Sequence, residues 1–232
     1  MPRRSHSGSA GTTFHVMNRG VRRLQLFDDS EDYLTFIRCL SEALELVPVA
    51  LYAFCVMPNH FHLVMRPSGD ADLARFMRLM TIRHSKRWHR RRNSKGGGAV
   101  YQGRFRAFPV QTERYFYAVC RYVEANPLRA SLVGRAEDWP WSSLHQRVTN
   151  IEVPRLEAWP IARPDHWVEL VNEVQNLREI GQLRKCTRSN LPFGADAWRQ
   201  AMATLFGTAP SLRLPGPRPQ STRKTSGVNS TN

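Results

Sequence analysis

Between residues 12 and 125 the spacing of apolar positions switches between two and three-to-four, and each switch predicts an element. Thr12 to Asn18 (TTFHVMN) runs in near alternation and stops at Asn18-Arg19-Gly20, which predicts a strand and a turn. After Asp28-Asp29-Ser30, a capping cluster, Tyr33, Phe36, Ile37, Leu40, Leu44 and Val47 recur at helical steps as far as Pro48. Leu51 to Met57 and Phe61 to Met65 are short apolar runs separated only by Pro58-Asn59-His60, the pattern of a β-hairpin. A second helix carries Leu73, Phe76, Met77, Met80, His84 and Trp88 on one stripe and runs out at Asn93 to Gly98. Arg104 to Thr112 predicts a strand that Pro109 makes an edge or a bulge, and Glu113 to Ala125 a third helix stopped by Asn126-Pro127.

Strand, helix, strand, strand, helix, strand, helix is the order of a ferredoxin-like α+β fold: an antiparallel sheet with helices packed on one face. From about Thr149 the chain changes character. Residues 149–212, with His166 to Arg184 and Asp196 to Phe206 as amphipathic segments, predict a small helical C-terminal appendage. Residues 213–232 are rich in Pro, Ser, Thr and Gly, carry Arg213, Arg218, Arg223 and Lys224 without an acid, and predict a disordered basic tail.

Composition adds a partner to this picture. The chain has 232 residues, 34 Lys plus Arg against 19 Asp plus Glu, and a formal charge of +15. A polyanion is the expected partner, nucleic acid ahead of an anionic membrane surface. No apolar run approaches the roughly 18 to 20 residues of a membrane span, and no apolar stretch follows Arg3 and Arg4. Cys39, Cys55, Cys120 and Cys186 are scattered without a C-x-x-C pair, so reduced, buried thiols in a cytoplasmic protein are expected.

Three features carry candidate chemistry. In a strand, His60 and His62 point to one face roughly 7 Å apart, where two imidazoles can chelate; in a helix they would diverge by about 200°. The plainer alternative is a pair of exposed or hydrogen-bonded histidines on an open sheet face. Tyr122 and Asn126, four apart on the third helix, present a phenol and a carboxamide together, although a helical tyrosine more commonly packs. Between Leu73 and Thr112 lie Arg75, Arg78, Arg83, Lys86, Arg87, Arg90, Arg91, Arg92, Lys95, Arg104 and Arg106 with no acid among them. Interleaved with Tyr101, Phe105 and Phe108, they have the composition of a single-strand groove, in which cations track phosphates and rings stack on bases. His15, His84 and His89 are expected to pack or to contact phosphate.

Taken in order, Phe14-His15-Val16-Met17-Asn18-Arg19-Gly20, the hairpin from Val56 to Val64, Tyr101-Gln102-Gly103-Arg104-Phe105, Arg121 to Ala130 and Asp138-Trp139-Pro140-Trp141-Ser142-Ser143 resemble the HUH single-tyrosine transposases, most closely the REP-associated tyrosine transposases of bacteria. The resemblance covers about Gly11 to Ser143 and makes residues 1–148 the catalytic domain. It implies a divalent ion, Mg2+ or Mn2+, held by His60 and His62 with Asn126 as a further ligand, and Tyr122 as the nucleophile on DNA. It also implies cleavage and joining of single-stranded DNA at palindromic, REP-type hairpins through a 5′-phosphotyrosine, by a protein closer to monomeric than dimeric relatives. Arg19, Arg75, Arg78, Arg83, Lys86, Arg87, Arg90, Tyr101, Arg104 and Arg106 are the expected DNA contacts. Two other classes stay open on residues alone. One is a non-catalytic single-stranded DNA- or RNA-binding module, which a ferredoxin-like sheet can serve; the other is a metal-dependent nuclease in which water attacks.

Overall fold

The alternating TFHVMNR segment forms β1 (Thr13–Arg19), one of the two inner strands of a four-stranded antiparallel sheet. In the computed structural model, which describes residues 9–94 and 96–208, β2 (Val49–Met57) and β3 (His60–Pro67) make the expected hairpin around Pro58-Asn59. β4 (Arg106–Val110) closes the order β2-β3-β1-β4, that of a ferredoxin-like sheet. Lys95 and the tail expected over residues 213–232 lie outside the described residues.

Pro109 sits in β4 at the sheet edge, opposite Phe14, where its missing N–H leaves the ladder least disturbed. The outer side of that edge is covered by the chain near Phe193, whose N–H donates to the Pro109 carbonyl at 2.9 Å and whose carbonyl accepts from Gln111 N–H at 2.9 Å. An edge that would otherwise template pairing with another chain is thereby closed.

The two sheet faces hold different cores. Phe14 and Val16, Phe54 and Val56, and Phe61, Leu63 and Met65 point to one face and pack under α1 (Ser30–Leu46) and α2 (Asp72–Arg91). Asp29 begins α1 by accepting from the Asp32 N–H, 3.1 Å, as its capping cluster predicts. The opposite face, with Ala53, Cys55, Met57, Val64, Phe108 and Val110, packs under α3 (Arg114–Glu124). Here the expectation of helices on one face is corrected: α1 and α2 cover one side and α3 the other. Apolar residues at both parities of β2 and β3 require this, because a one-sided sheet would leave Cys55, Met57 and Val64 in water.

The segment after Thr149 contributes to the second core. Trp167 and Val171 of α6 (Trp167–Asn172), and Ile180, Leu183 and Cys186 of α7 (Leu177–Ser189), pack with Phe116, Val119 and Val123 of α3. Phe206, just beyond α8 (Asp196–Leu205), meets Phe14 edge to face at 5.5 Å. All four cysteines are buried and free, as expected.

α3 is anchored through Glu124, fully buried, whose carboxylate accepts from Ser143 Oγ at 2.5 Å and Trp167 Nε1 at 2.6 Å and is paired with Arg147 of α5 (Ser143–Thr149). A buried carboxylate is tolerable only with such partners. Their effect is to hold α3 in register over the sheet, two residues from Tyr122.

Candidate active site

His60 and His62 occupy β3 with the spacing that sends both rings to the α3 face. Their centroids are 4.9 Å apart, nearly perpendicular, in place of the extended-strand separation of roughly 7 Å. Tyr122 descends from α3 onto the same face. Its ring stands edge-on to His62, centroids 5.8 Å apart, and to His15 at 6.1 Å. The phenol is 8% exposed, and its oxygen is not among the polar atoms sealed away from both solvent and partners. The structure thus brings His60, His62 and Tyr122 together from elements sixty residues apart in the chain.

The ladder explains which other side chains join them. Residues directly opposite across antiparallel strands share a face. Arg19 is opposite His60, Met17 opposite both His62 and Arg106, and His15 opposite Val64 and Phe108. His15, Met17 and Arg19 therefore line the histidine face, while Phe14 and Val16 line the other. His15 Nε2 lies 2.8 Å from His62 Nδ1, and His60 Nδ1 lies 2.7 Å from Asn59 Oδ1. Each candidate ligand is held by its Nδ1, which leaves its Nε2 to turn outward.

Burial sets the charge state of these imidazoles. Desolvation takes His15 down to about 3, and His60, with Arg19 adding to the effect, down to about 4. His62 is pushed well below its ordinary value by burial first, and then by His60, His15, Arg129 and Arg19. Neutral imidazole is the form that donates a lone pair to a cation. On this test of donor chemistry, the His60–His62 pair fits a divalent ion.

Asn126 differs from its expected place. α3 ends at Glu124, and Asn126 opens a separate short helix, α4 (Asn126–Arg129). Pro127 lacks an N–H and crowds the carbonyl four residues back, so a single continuous helix face does not carry Tyr122 and Asn126. The Asn126 amide turns to the Tyr122 carbonyl, donating from Nδ2 at 3.3 Å, and no hydrogen bond joins it to either imidazole among the described residues.

The same carbonyl accepts from Arg129 Nη2 at 2.5 Å, and the Arg129 guanidinium carbon stands 4.3 Å from the Tyr122 ring centroid. Gln175 Oε1, also 2.5 Å away, holds the other guanidinium nitrogen. Burial lowers the Arg129 pKa to about 10, an effect that Tyr122 and Cys55 oppose. Arg129 and His15 were not singled out as site residues by the sequence. Strand alternation from Arg19 back to His15 was the available signal for one; nothing in the local pattern pointed to the other.

The basic run divides. Arg83 and Arg87 are turned to Glu42 of α1, with Arg87 Nη2 2.6 Å from its carboxylate, so both serve the α1–α2 seam. Arg91 and Arg92 likewise engage Asp28, Asp29 and Asp32. Tyr101 is a correction to the expected DNA contacts. Its ring is buried against Phe61, and its hydroxyl lies 2.7 Å from His84 Nδ1, so no face is open to a base. Arg75, Arg78, Lys86 and Arg90 are exposed along α2, on the side of the sheet away from the histidines. Arg104 and Arg106 are exposed, and the neighbouring Gln102 N–H donates to the Arg19 carbonyl, 2.9 Å, at the end of β1 where His60 lies.

Among the described residues no helix is long and apolar enough to cross a membrane. Comparison with known proteins gives relatives for this fold. A candidate REP-associated tyrosine transposase of Haemophilus influenzae is 26% identical over 137 residues, 53% of this chain and 77% of the relative. The REP-associated tyrosine transposase of Escherichia coli K12 is 25% identical over 143 residues, 60% of this chain and 79% of the relative. The fold is similar to a solved REP-associated tyrosine transposase bound to a REP hairpin, with a TM-score of 0.51 and 22% identity over 67% of this chain and 90% of that one. The IS200-like transposase description matches residues 9–126, the stretch that carries β1, the histidine pair, Tyr122 and Asn126, and the chain belongs to that family.

Proposed function

We propose that the protein is a metal-dependent single-stranded DNA endonuclease and strand transferase that acts at palindromic, REP-type hairpins through a phosphotyrosine intermediate. The observation that carries this reading is the edge-on contact of the Tyr122 ring with His62 within one chain, 5.8 Å between centroids. A phenol beside two neutral imidazoles is an arrangement suited to attack on phosphorus.

His60 and His62 would hold Mg2+ or Mn2+, with the Asn126 carboxamide as the further ligand once it turns from the Tyr122 carbonyl. The ion, when bound, supplies charge neutralisation at the scissile phosphate and at the departing oxygen. The residues of the chain do the rest. Glu124 fixes α3 so that Tyr122 faces the imidazoles, and His15 and Asn59 fix the ring orientations. In the reaction a bond forms between Tyr122 Oη and phosphorus, the bond from phosphorus to the 3′ oxygen breaks, the phenol gives up its proton and the leaving oxygen gains one. One phosphodiester replaces another, so rejoining needs no nucleotide cofactor. Because Tyr122 meets His62 of its own chain, a monomer is sufficient for the chemistry.

The test is incubation with Mg2+ or Mn2+ and a 3′-labelled pool of stem-loop oligonucleotides bearing single-stranded flanks. The expected product is label that stays with the protein through denaturation, in wild type and not in Tyr122→Phe. Cleavage without label on the protein would favour attack by water, and binding without cleavage would favour a binding module; either overturns the reading.

A further inference from the structure

The candidate site is rich in cations and poor in acids. Arg129 lies on the Tyr122 ring, and Arg19 stands directly across the ladder from His60. Among the described residues neither guanidinium is within ion-pair distance of a carboxylate, and no cluster of three His, Cys, Asp or Glu side chains suited to a metal is present. Arg19 Nε is buried with no hydrogen-bond partner. The nearest acid along α3, Glu124, is turned into the second core and taken up by Ser143, Arg147 and Trp167. Both Arg19 and Arg129 bear electrostatically on His62, which places their fields on the nitrogen pair.

A divalent ion approaching two neutral imidazoles beside two guanidinium groups meets repulsion that no carboxylate among the described residues offsets. Most sites for hard cations supply that offset themselves through Asp or Glu. Here the available counter-charge is an anion: Arg129 is held by Tyr122 and Gln175 through neutral acceptors that leave its charge unbalanced, Arg19 Nε has no partner, and planar guanidinium groups match phosphate oxygens well.

We propose that Arg129 and Arg19 make this an anion-first site: a nucleic-acid phosphodiester seats on the two guanidinium groups and supplies the negative charge that lets His60 and His62 hold a divalent ion. This rests on the assignment of the two histidines as ligands made above. Metal and nucleic acid are then coupled reciprocally, each strengthening the other, and Arg129 acts on the ion with opposite sign in the two states. Without nucleic acid it repels the ion; with nucleic acid it holds the phosphate that attracts it.

The experiment is Mn2+ titration, followed by electron paramagnetic resonance of the free ion, of the full chain carrying Tyr122→Phe so that no covalent step intervenes. Each protein is titrated alone and with a saturating short single-stranded oligothymidylate. In the Tyr122→Phe chain, Mn2+ affinity is expected to rise about tenfold or more with the oligonucleotide, within the usual range of coupling between sites. Adding Arg129→Gln is expected to tighten Mn2+ binding several-fold in the absence of oligonucleotide and to shrink the gain to less than about threefold. Adding Arg129→Lys, which keeps the charge, should leave the oligonucleotide-free affinity near that of the parent.

Equal Mn2+ affinity with and without oligonucleotide, in a protein whose binding is lost on His60→Ala, overturns the coupling and leaves the ligand assignment standing. Binding that survives both His60→Ala and His62→Ala overturns the ligand assignment itself, and absence of Mn2+ binding in every arm overturns both. Weaker Mn2+ binding by the Arg129→Gln chain without oligonucleotide also overturns the proposal, provided its thermal unfolding matches the parent; if it is destabilised, the Arg19→Gln chain is held to the same signs.

Discussion

His15 Nε2 and His62 Nδ1 are 2.8 Å apart across the β1–β3 ladder, and the proton between them decides whether the outward Nε2 of His62 keeps its lone pair. When His62 carries it on Nδ1 and donates to His15, the His62 Nε2 lone pair is free for an ion. His15 Nδ1 is buried without a partner, so the bond to His62 is the only hydrogen bond that the His15 ring makes among the described residues.

His15 is therefore a positioning residue. His15→Phe is expected to weaken Mn2+ binding at the histidine pair by about ten- to a hundredfold, the usual effect of losing the partner that orients a ligating imidazole. His15→Gln, which can still accept from His62, should recover part of it. Unchanged binding in a folded His15→Phe protein would remove this role.

Glu124 answers to stability. Glu124→Gln leaves Arg147 in a largely buried place without its counter-charge. Loss of about 3 kcal/mol in urea unfolding is expected, and Glu124→Leu combined with Arg147→Met should recover most of it. If Glu124→Gln alone unfolds at the wild-type midpoint, the pair does not anchor α3.

The arginines of α2 separate by partner. Arg75→Ala, Arg78→Ala, Lys86→Ala and Arg90→Ala, tested together, are expected to weaken oligonucleotide binding and flatten its salt dependence, the slope falling by about one for each phosphate that is no longer neutralised. Arg83→Ala and Arg87→Ala should lower thermal stability while leaving the salt slope in place, because Glu42 already holds both groups. Tyr101→Phe belongs with the second set, since it removes a buried hydrogen bond to His84 and touches no exposed surface.

Acid is expected to destabilise the fold well above the carboxylate range. His15 and His84 are lowered from 6.5 to about 3 and His60 to about 4, and His62 is lowered further by its neighbours, each with burial as the leading cause. The unfolded chain binds protons on these rings near pH 6.5 and the folded one does not, so stability is complete above that value and is lost as pH falls toward the folded values. At pH 5 His15 and His84 each contribute a loss on the order of 2 kcal/mol. Urea midpoints measured from pH 7.5 to 5 should fall, and His84→Phe should reduce the fall; a flat profile would contradict buried neutral imidazoles.

The elements of the sheet and of the first three helices were legible because each has a period of its own. β1, β3, α1 and α2 begin and end within a residue or two of the apolar pattern and its Pro, Asn and Asp punctuation. The histidine pair was legible for the same reason, since alternation alone sends both rings to one side. The basic run was legible as charge and illegible as contacts: Glu42 and Asp32 lie on a different helix, and linear spacing says nothing of which arginine reaches them.

Neighbours along the chain suffice for element type, the ferredoxin-like order, the face shared by His60 and His62, and the excess of positive charge. Everything on the second face of the sheet depends instead on packing. There α3, held by Glu124, lays Tyr122 on His62; β1 delivers His15 and Arg19; and Pro127 breaks the helix so that Arg129 folds back over the phenol. Such juxtapositions follow from the burial of two apolar surfaces against one sheet. That is a collective requirement of the packed chain, and no short window of residues contains it.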